Sequence, residues 1–201
     1  GWERANWFAP KGVDAVDDWS FRRSSYHQHI GSEIRNLSQN VGVLDLTGFA
    51  KCRISGPSAE MFLNNLVANK LPKKVGRVGL CHALTKKGGV HSEFTITRER
   101  NNSFYIVSAG AFQRLDHDWI LKDIPEDGSV VFQDLTNSMG VLVLAGPKSR
   151  DLIESISRND FSNEAFPWLT AQDVDIGLCP AFAMRVNFVG ELGWELHHPI
   201  E

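Results

Sequence analysis

The stretch Ile54–Leu66, ISGPSAEMFLNNL, recurs at Leu144–Ile156 as LAGPKSRDLIESI, with Gly56 and Gly146 standing 90 residues apart. Each copy follows an apolar run, AKCRIS or MGVLVLA, which predicts a strand that ends at Gly-Pro and leads into a helix. Proline suits the first helical turn, where its missing N–H is not needed. Two copies, fewer than a linear array requires, indicate a pseudo-symmetric architecture of strand–helix units.

The chain between the two copies predicts an α+β insert. Residues Val90–Arg98 and Ser103–Ser108 alternate around Glu99–Asn102, which is the pattern of a β-hairpin. The segment AFQRLDHDWILKDI behind it has the apolar spacing of a helix. Upstream of the first copy, SSYHQHIGSEIRNL predicts a serine-capped helix and VGVLDL a short strand, while the first 21 residues predict irregular structure.

The composition is that of a folded protein of one large or two small domains: 201 residues, 42% of them hydrophobic. A net charge of −3 indicates no general attraction to nucleic acid or to an anionic membrane. The basic stretch Lys70–Lys87 contains no acidic residue, and such runs are more often solvated surface than a binding site. No apolar run approaches the roughly 20 residues that span a bilayer, and the first residues do not resemble a signal peptide.

Three distant cysteines, Cys52, Cys81 and Cys179, argue against a disulfide framework or a zinc site and favour a reducing compartment. The paired histidines of HQH and HH would point to different sides of a helix or strand, so no metal site is predicted. Nucleotide-binding glycine motifs and the GxSxG elbow of serine hydrolases are missing from the sequence. The abrupt final HHPIE suggests a fragment of a longer protein.

Two glutamates stand in similar glycine-rich settings. In FVGELGWELH, Phe188–His197, alternate residues predict a half-buried strand with Glu195 on its outer row. Glu93 follows Gly88 and Gly89 on the predicted hairpin. Each acid alone is more often a surface carboxylate. As a pair they permit a second interpretation, in which one carboxylate holds a planar heterocycle through two N–H donors and the other orients an amine.

Four stretches, taken in order, resemble the glycine-cleavage T-protein (aminomethyltransferase) family, and most closely the folate-binding region of dimethylglycine and sarcosine dehydrogenases. They are GWERANWFAP, VGVLDLTGFAKCRISGPSAEMFLNNL, KKGGVHSEFTI and FVGELGWELH. The resemblance implies an α+β T-protein-like folate-binding fold with a ferredoxin-like subdomain at 51–136 inserted into a discontinuous domain formed by 1–50 and 137–201. The family's C-terminal barrel and the dehydrogenases' upstream FAD domain would lie outside this sequence.

The resemblance also implies roles for individual residues. Glu93 matches the family's catalytic aspartate, which holds the folate amine, and Glu195 matches the glutamate that grips the pterin ring. The other cofactor-binding positions implied are Phe94 and Thr95 beside Glu93, Val107 on the next strand, and Leu196 and His197 beside Glu195. Phe188 and Leu80 stand where the family commonly has tyrosines.

The implied function is tetrahydrofolate-dependent transfer of a one-carbon unit from an oxidised N-methyl amine to form 5,10-methylenetetrahydrofolate. The implied partners are folate, a methylamine-type donor and an FAD domain or subunit. The expected location is the bacterial cytoplasm or, in a eukaryote, the mitochondrial matrix. Two alternatives remain open: a non-catalytic folate-binding module, and a folate-dependent demethylase of a different methyl donor.

Overall fold

A computed structural model describes residues 3, 5–187 and 190–200 of the chain. The helices in these ranges are α1 His27–Gln39, α2 Ala59–Leu66, α3 Gln113–Leu121 and α4 Ser149–Ile156. The strands are β1 Gly42–Asp45, β2 Ala50–Ser55, β3 Val78–Leu84, β4 Val90–Arg100, β5 Ser103–Ser108, β6 Val131–Asp134, β7 Met139–Ala145, β8 Ala171–Ile176, β9 Cys179–Met184 and β10 Gly193–Pro199. Within the described ranges, no helix combines the length and apolar character needed to cross a bilayer.

The strands form two antiparallel five-stranded sheets, an α+β arrangement. Sheet A has the order β1-β7-β10-β9-β8, and sheet B has the order β3-β4-β5-β2-β6. Sheet B is built from the middle of the chain, whereas sheet A combines β1 with the four strands that follow sheet B. A bridge between Arg77 and Thr170 joins the chain just before β3 to the chain just before β8, so the two sheets meet there.

The two repeated segments form the strand–helix units that the sequence predicts, β2 into α2 and β7 into α4. Gly56 and Gly146 have φ values of 121° and 122°, a conformation that only glycine adopts easily. An added Cβ would lie 2.3 Å from the Ser129 carbonyl oxygen in one unit and 2.5 Å from that of Asn40 in the other. The helices begin at Ala59 and Ser149. Both prolines therefore precede the N-cap residue, and their predicted place in the first helical turn was wrong.

The helices cover the outward faces of the sheets. Phe62 and Leu63 of α2 pack in a core with Ile54, Phe94 and Ile96 of sheet B. Ile153 of α4 packs in a second core, whose other members include Leu144, Phe161, Phe166 and Trp194. Trp194 is completely buried there. Burial of each large apolar side chain stabilises the fold by about 1.5–3 kcal/mol.

The inward faces of the two sheets pack against each other. A third cluster joins Val78, Tyr105 and Val107 of sheet B to Ala171 and Met184 of sheet A. Alternate residues of a strand face opposite ways, so the helices cover one face of each sheet and this third cluster covers part of the other face. Side chains that a strand pattern assigns to solvent therefore become buried between the sheets.

The predicted hairpin and upstream helix are present with different ends. β4 runs to Arg100, so the turn shortens to Asn101 and Asn102. α1 begins after Tyr26, which makes no side-chain capping hydrogen bond, and the predicted serine cap was wrong. The described part of the chain before α1 is irregular, as predicted.

Candidate functional site

Four of the predicted site residues share the inward face of sheet B. Leu80 on β3 lies opposite Thr95 on β4, and Thr95 lies opposite Val107 on β5. Glu93 shares this face because it is two residues from Thr95 on the same strand. The Oγ1 atom of Thr97, two residues further on, lies 3.9 Å from the Met184 sulfur of sheet A. The face that carries Glu93 is therefore directed toward sheet A.

Two further predicted residues lie on the inward face of sheet A. Glu195 and His197 alternate on β10, and the Tyr105 hydroxyl of sheet B lies 2.9 Å from Nδ1 of His197. His197 is completely buried, and the Glu195 side chain is only 13% exposed. The outer row of this strand is thus covered by the second sheet, so Glu195 is not a surface carboxylate.

The remaining predicted residues lie elsewhere. Phe94 is 1% exposed in the core beneath α2, and Leu196 packs beside the core beneath α4, so both side chains point away from the space between the sheets. A ligand beside Glu93 would meet Phe94 through its backbone. Phe188 lies outside the described residues.

The glycines around Glu195 serve the backbone. An added Cβ on Gly193 would lie 2.3 Å from the Leu144 carbonyl oxygen of β7, so glycine there allows two strands to approach closely. Gly190 adopts φ 103° in the bend before β10, with no atom within 4 Å of an added Cβ. The glycine-rich setting of Glu195 is therefore explained by strand approach at Gly193 and by backbone conformation at Gly190.

A hydrogen-bonded chain holds Glu195 in place. Nε2 of His197 lies 3.2 Å from Oε2 of Glu195, while Nδ1 faces the Tyr105 hydroxyl. Burial raises the pKa of Tyr105 far above its ordinary value, so the hydroxyl keeps its proton and can donate a hydrogen bond to Nδ1. A neutral His197 then donates from Nε2 to Oε2 of Glu195, which gives both ring nitrogens a partner. Oε1 of Glu195 has no hydrogen-bond partner among the described residues.

Glu93 also contacts a histidine, although it lies in a more open setting. Its Oε2 is 3.0 Å from Nε2 of His82, directly opposite on β3. The Glu93 side chain is 56% exposed, and Leu80 on the same face is 53% exposed. One candidate carboxylate is thus nearly enclosed, while the other is accessible from solvent.

Sequence reasoning missed several polar residues of the inward faces. Lys51 lies opposite Val107, is completely buried, and donates from Nζ to the Thr47 carbonyl oxygen at 2.6 Å. Burial lowers the pKa of Lys51 to about 8. Arg53 makes two 2.7 Å hydrogen bonds to Glu99. The alternation of charge in AKCRIS was the available signal, since it puts both cations on one face of β2.

An open cavity of about 340 Å³ lies beside this region. Its lining includes Glu99, Asp173, Asp175, Phe182 and His197 but none of Leu80, Glu93, Thr95 or Glu195. We place the candidate site at the two glutamates. Glu195 is nearly enclosed between the sheets and keeps an oxygen without a hydrogen-bond partner among the described residues, while Glu93 on the facing side of sheet B is open to solvent.

Comparison with known proteins identifies the family. Residues 1–201 match the family described as the GCVT N-terminal domain. Mitochondrial dimethylglycine dehydrogenase of Mus musculus is 36% identical over 199 residues, which cover 98% of this chain and 23% of the mouse protein. The 4-methylaminobutanoate oxidase (formaldehyde-forming) of Paenarthrobacter nicotinovorans is 29% identical over 197 residues, which cover 98% of this chain and 24% of that protein. The chain therefore spans about a quarter of the length of these relatives.

A solved structure supports the same assignment at the level of the fold. The glycine cleavage system aminomethyltransferase T from Bartonella henselae matches with a TM-score of 0.72 and 19% identity, covering 84% of this chain and 45% of that chain. The two antiparallel sheets match this T-protein fold, and the family resemblance of the four sequence stretches is confirmed. By the match over its whole length, the chain belongs to the GCVT N-terminal domain family.

Proposed function

We propose that this chain carries out tetrahydrofolate-dependent transfer of a one-carbon unit from an oxidised N-methyl amine, forming 5,10-methylenetetrahydrofolate. The observation that carries the proposal is the pair Glu93 and Glu195 on the facing sides of two packed sheets, in a chain of the GCVT family. Two relatives are also named for N-methylated substrates, dimethylglycine and 4-methylaminobutanoate.

The residues present fit a folate. Glu195 offers Oε1 to a ligand, because Oε2 contacts His197. A carboxylate held in this way can accept a hydrogen bond from a pterin N–H, and a charge-assisted bond of this kind contributes about 1.5–3 kcal/mol. When bound, tetrahydrofolate supplies the two nitrogens that take up the carbon, with one N–H proton passing to the departing amine and the other released.

The chain would act by positioning and by charge, without a covalent nucleophile. Glu93 would orient the folate amine and assist proton movement from its exposed position on β4. Thr95 and Leu80 would flank the ligand from the same face, and Val107 would contribute its backbone. The exposed basic residues between Lys70 and Lys87 would attract the anionic glutamyl tail.

Titration of the complete protein with tetrahydrofolate tests this proposal. We expect dissociation constants in the micromolar range and a weakening of about 10- to 100-fold in Glu195→Gln, because the charge-assisted bond is lost. Glu93→Gln should change the affinity only slightly while lowering single-turnover transfer by about 100-fold or more. Glu154→Gln, an exposed carboxylate on α4, serves as the control. Absence of binding by the wild-type protein would contradict the proposal.

A second candidate keeps the donor chemistry but changes the fate of the carbon. The Paenarthrobacter relative is named as formaldehyde-forming, which favours release of the oxidised carbon instead of its capture. Product analysis with and without tetrahydrofolate separates the two candidates. Capture predicts that formaldehyde disappears as folate is added, and release predicts an unchanged yield. A module that binds folate without catalysis would show binding, but it would not transfer the donor's carbon to the bound folate.

We also propose an organisation for the chain and the protein around it. Residues 51–136, which contain β3–β6 and all of β2 except Ala50, would form the ferredoxin-like subdomain. Residues 1–50 with 137–201 would form the discontinuous folate-binding domain. The strand orders support pseudo-symmetry. In each sheet, the strand that leads into the repeated helix lies next to the third strand after that helix, β5 beside β2 and β10 beside β7. The chain would work beside an FAD domain or subunit, in the bacterial cytoplasm or, in a eukaryote, the mitochondrial matrix. The mammalian relative is named as mitochondrial, which supports the second location.

A further inference from the structure

Each candidate carboxylate contacts Nε2 of a histidine. The two histidines differ at Nδ1, where one faces a hydrogen-bond donor and the other faces an acceptor. Nδ1 of His197 faces the Tyr105 hydroxyl, which can donate a hydrogen bond to the ring. Nδ1 of His82 lies 3.3 Å from Oδ1 of Asn69, an oxygen that can only accept a hydrogen bond. This difference determines where each ring carries its proton.

The orientation of the Asn69 amide is settled by the backbone. The His82 main-chain N–H donates to Oδ1 of Asn69 at 2.8 Å, so the atom in that place must be the oxygen. The neighbouring Ala68 N–H donates to the His82 carbonyl oxygen at 2.9 Å and holds the same segment against β3. The oxygen is therefore fixed beside the imidazole, and Nδ1 must carry a proton in order to bond to it.

This arrangement leaves Nε2 of a neutral His82 without a proton. Nε2 lies 3.0 Å from Oε2 of Glu93, and an ionised carboxylate can only accept. Two acceptors cannot form a hydrogen bond, so the observed contact requires one additional proton between Nε2 and Oε2. The Glu195 pair requires none, because His197 accepts a hydrogen bond from the Tyr105 hydroxyl at Nδ1 and donates one from Nε2.

We infer that Asn69 is a positioning residue that fixes the Nδ1–H form of His82, so that His82 and Glu93 share one proton ready for transfer. The inference rests on the proposed function and assigns the proton exchange of that reaction to this pair. The shared proton leaves Nε2 or Oε2 for the departing amine nitrogen. A proton released at the same site by the accepting amine restores the pair.

Nitrogen NMR of the imidazole rings tests the inference in the complete protein without any folate. We expect His82 to be protonated at Nδ1, with its signal assigned by its loss in His82→Gln. In Asn69→Ala the acceptor is removed, and His82 should change to the Nε2–H form, which can donate to Glu93 without the extra proton. Asn69→Asp keeps an oxygen at the same place and should keep the Nδ1–H form. Asn65→Ala, an exposed asparagine on α2, is the matched control.

Transfer measurements then connect the proton to the reaction. Asn69→Ala should leave tetrahydrofolate affinity within about 2-fold of wild type and lower single-turnover transfer at least about 10-fold, whereas Asn69→Asp restores it. The inference is overturned if wild-type His82 lacks the Nδ1 proton, if Asn69→Ala does not change the ring, or if transfer is insensitive to that change. If the wild-type ring is as expected but folate does not bind, the proposed function fails while the proton arrangement stands.

Discussion

Lys51 provides a test of the packing between the sheets through the pH dependence of stability. Its side chain is completely buried, and the one hydrogen bond of its ammonium group among the described residues goes to the Thr47 carbonyl oxygen. Burial lowers its pKa from 10.5 to about 8, although the charges of Asp134 and Asp45 act in the opposite direction. The folded protein therefore releases this proton at a lower pH than the unfolded chain does.

The sign and size of the effect follow from proton linkage. Below about pH 8 both the folded and the unfolded chain carry the proton on Lys51, so the cost of burying this charge lowers the free energy of unfolding in full. Between about pH 8 and 10.5 the unfolded chain binds more protons, so this group makes the free energy of unfolding rise with pH. At 1.36 kcal/mol per pH unit, the full contribution is about 3 kcal/mol.

The measurement compares wild-type protein with Lys51→Met in urea unfolding at several pH values. Burial raises the pKa of Cys52 to about 12 and of Cys81 to about 11, and these groups lower stability above about pH 9. Both cysteines are present in both proteins, so the difference between the two curves isolates Lys51. Wild type should gain about 3 kcal/mol relative to the variant between about pH 7 and 10.5.

Lys148→Met is the control, because Lys148 is exposed and bonds only to Asn40 among the described residues. Its curve should remain parallel to that of wild type. Parallel curves for Lys51→Met as well would refute the argument, since they would mean that the Lys51 ammonium is not desolvated between the sheets.

Three further substitutions test the repeated turns and the Arg53–Glu99 ion pair on the inward face of sheet B. Gly56→Ala and Gly146→Ala should each lower the free energy of unfolding by about 2–4 kcal/mol in urea titrations, because both combine a left-handed φ with a backbone clash; Gly48→Ala, with open space, should cost little. Although burial alone would raise the pKa of Glu99, the hydrogen bonds and charge of Arg53 hold it below its ordinary value. Arg53→Met should therefore cost about 1–2 kcal/mol at neutral pH, and the deficit should shrink as the pH falls through the titration of Glu99; a deficit independent of pH would contradict this.

The local structure was predictable because it depends on neighbouring residues. The Gly-Pro repeat predicted two strand–helix units, since the φ required at Gly56 and Gly146 strongly favours glycine wherever the unit occurs. The hairpin around Asn101 followed from alternation on both sides of a polar turn. In the same way, the family resemblance followed from short stretches that keep their order along the chain.

The candidate site depended on contacts between distant segments, which no local pattern contains. Alternation correctly put Glu195 and His197 on one face of β10, but only the packing of sheet B buries that face and brings Tyr105 to His197. His82 became part of the candidate site only in the structure. There β3 pairs with β4, which brings His82 to Glu93, and Oδ1 of Asn69 accepts a hydrogen bond from the His82 backbone.

The sequence by itself therefore determined the strand–helix units, the hairpin and the family, because each depends on residues close along the chain. Only the tertiary structure decided which carboxylate is enclosed, which is accessible and which histidine nitrogen each one meets. Burial and hydrogen-bond partners arise when two sheets pack face to face, and those contacts join residues that are far apart in the chain.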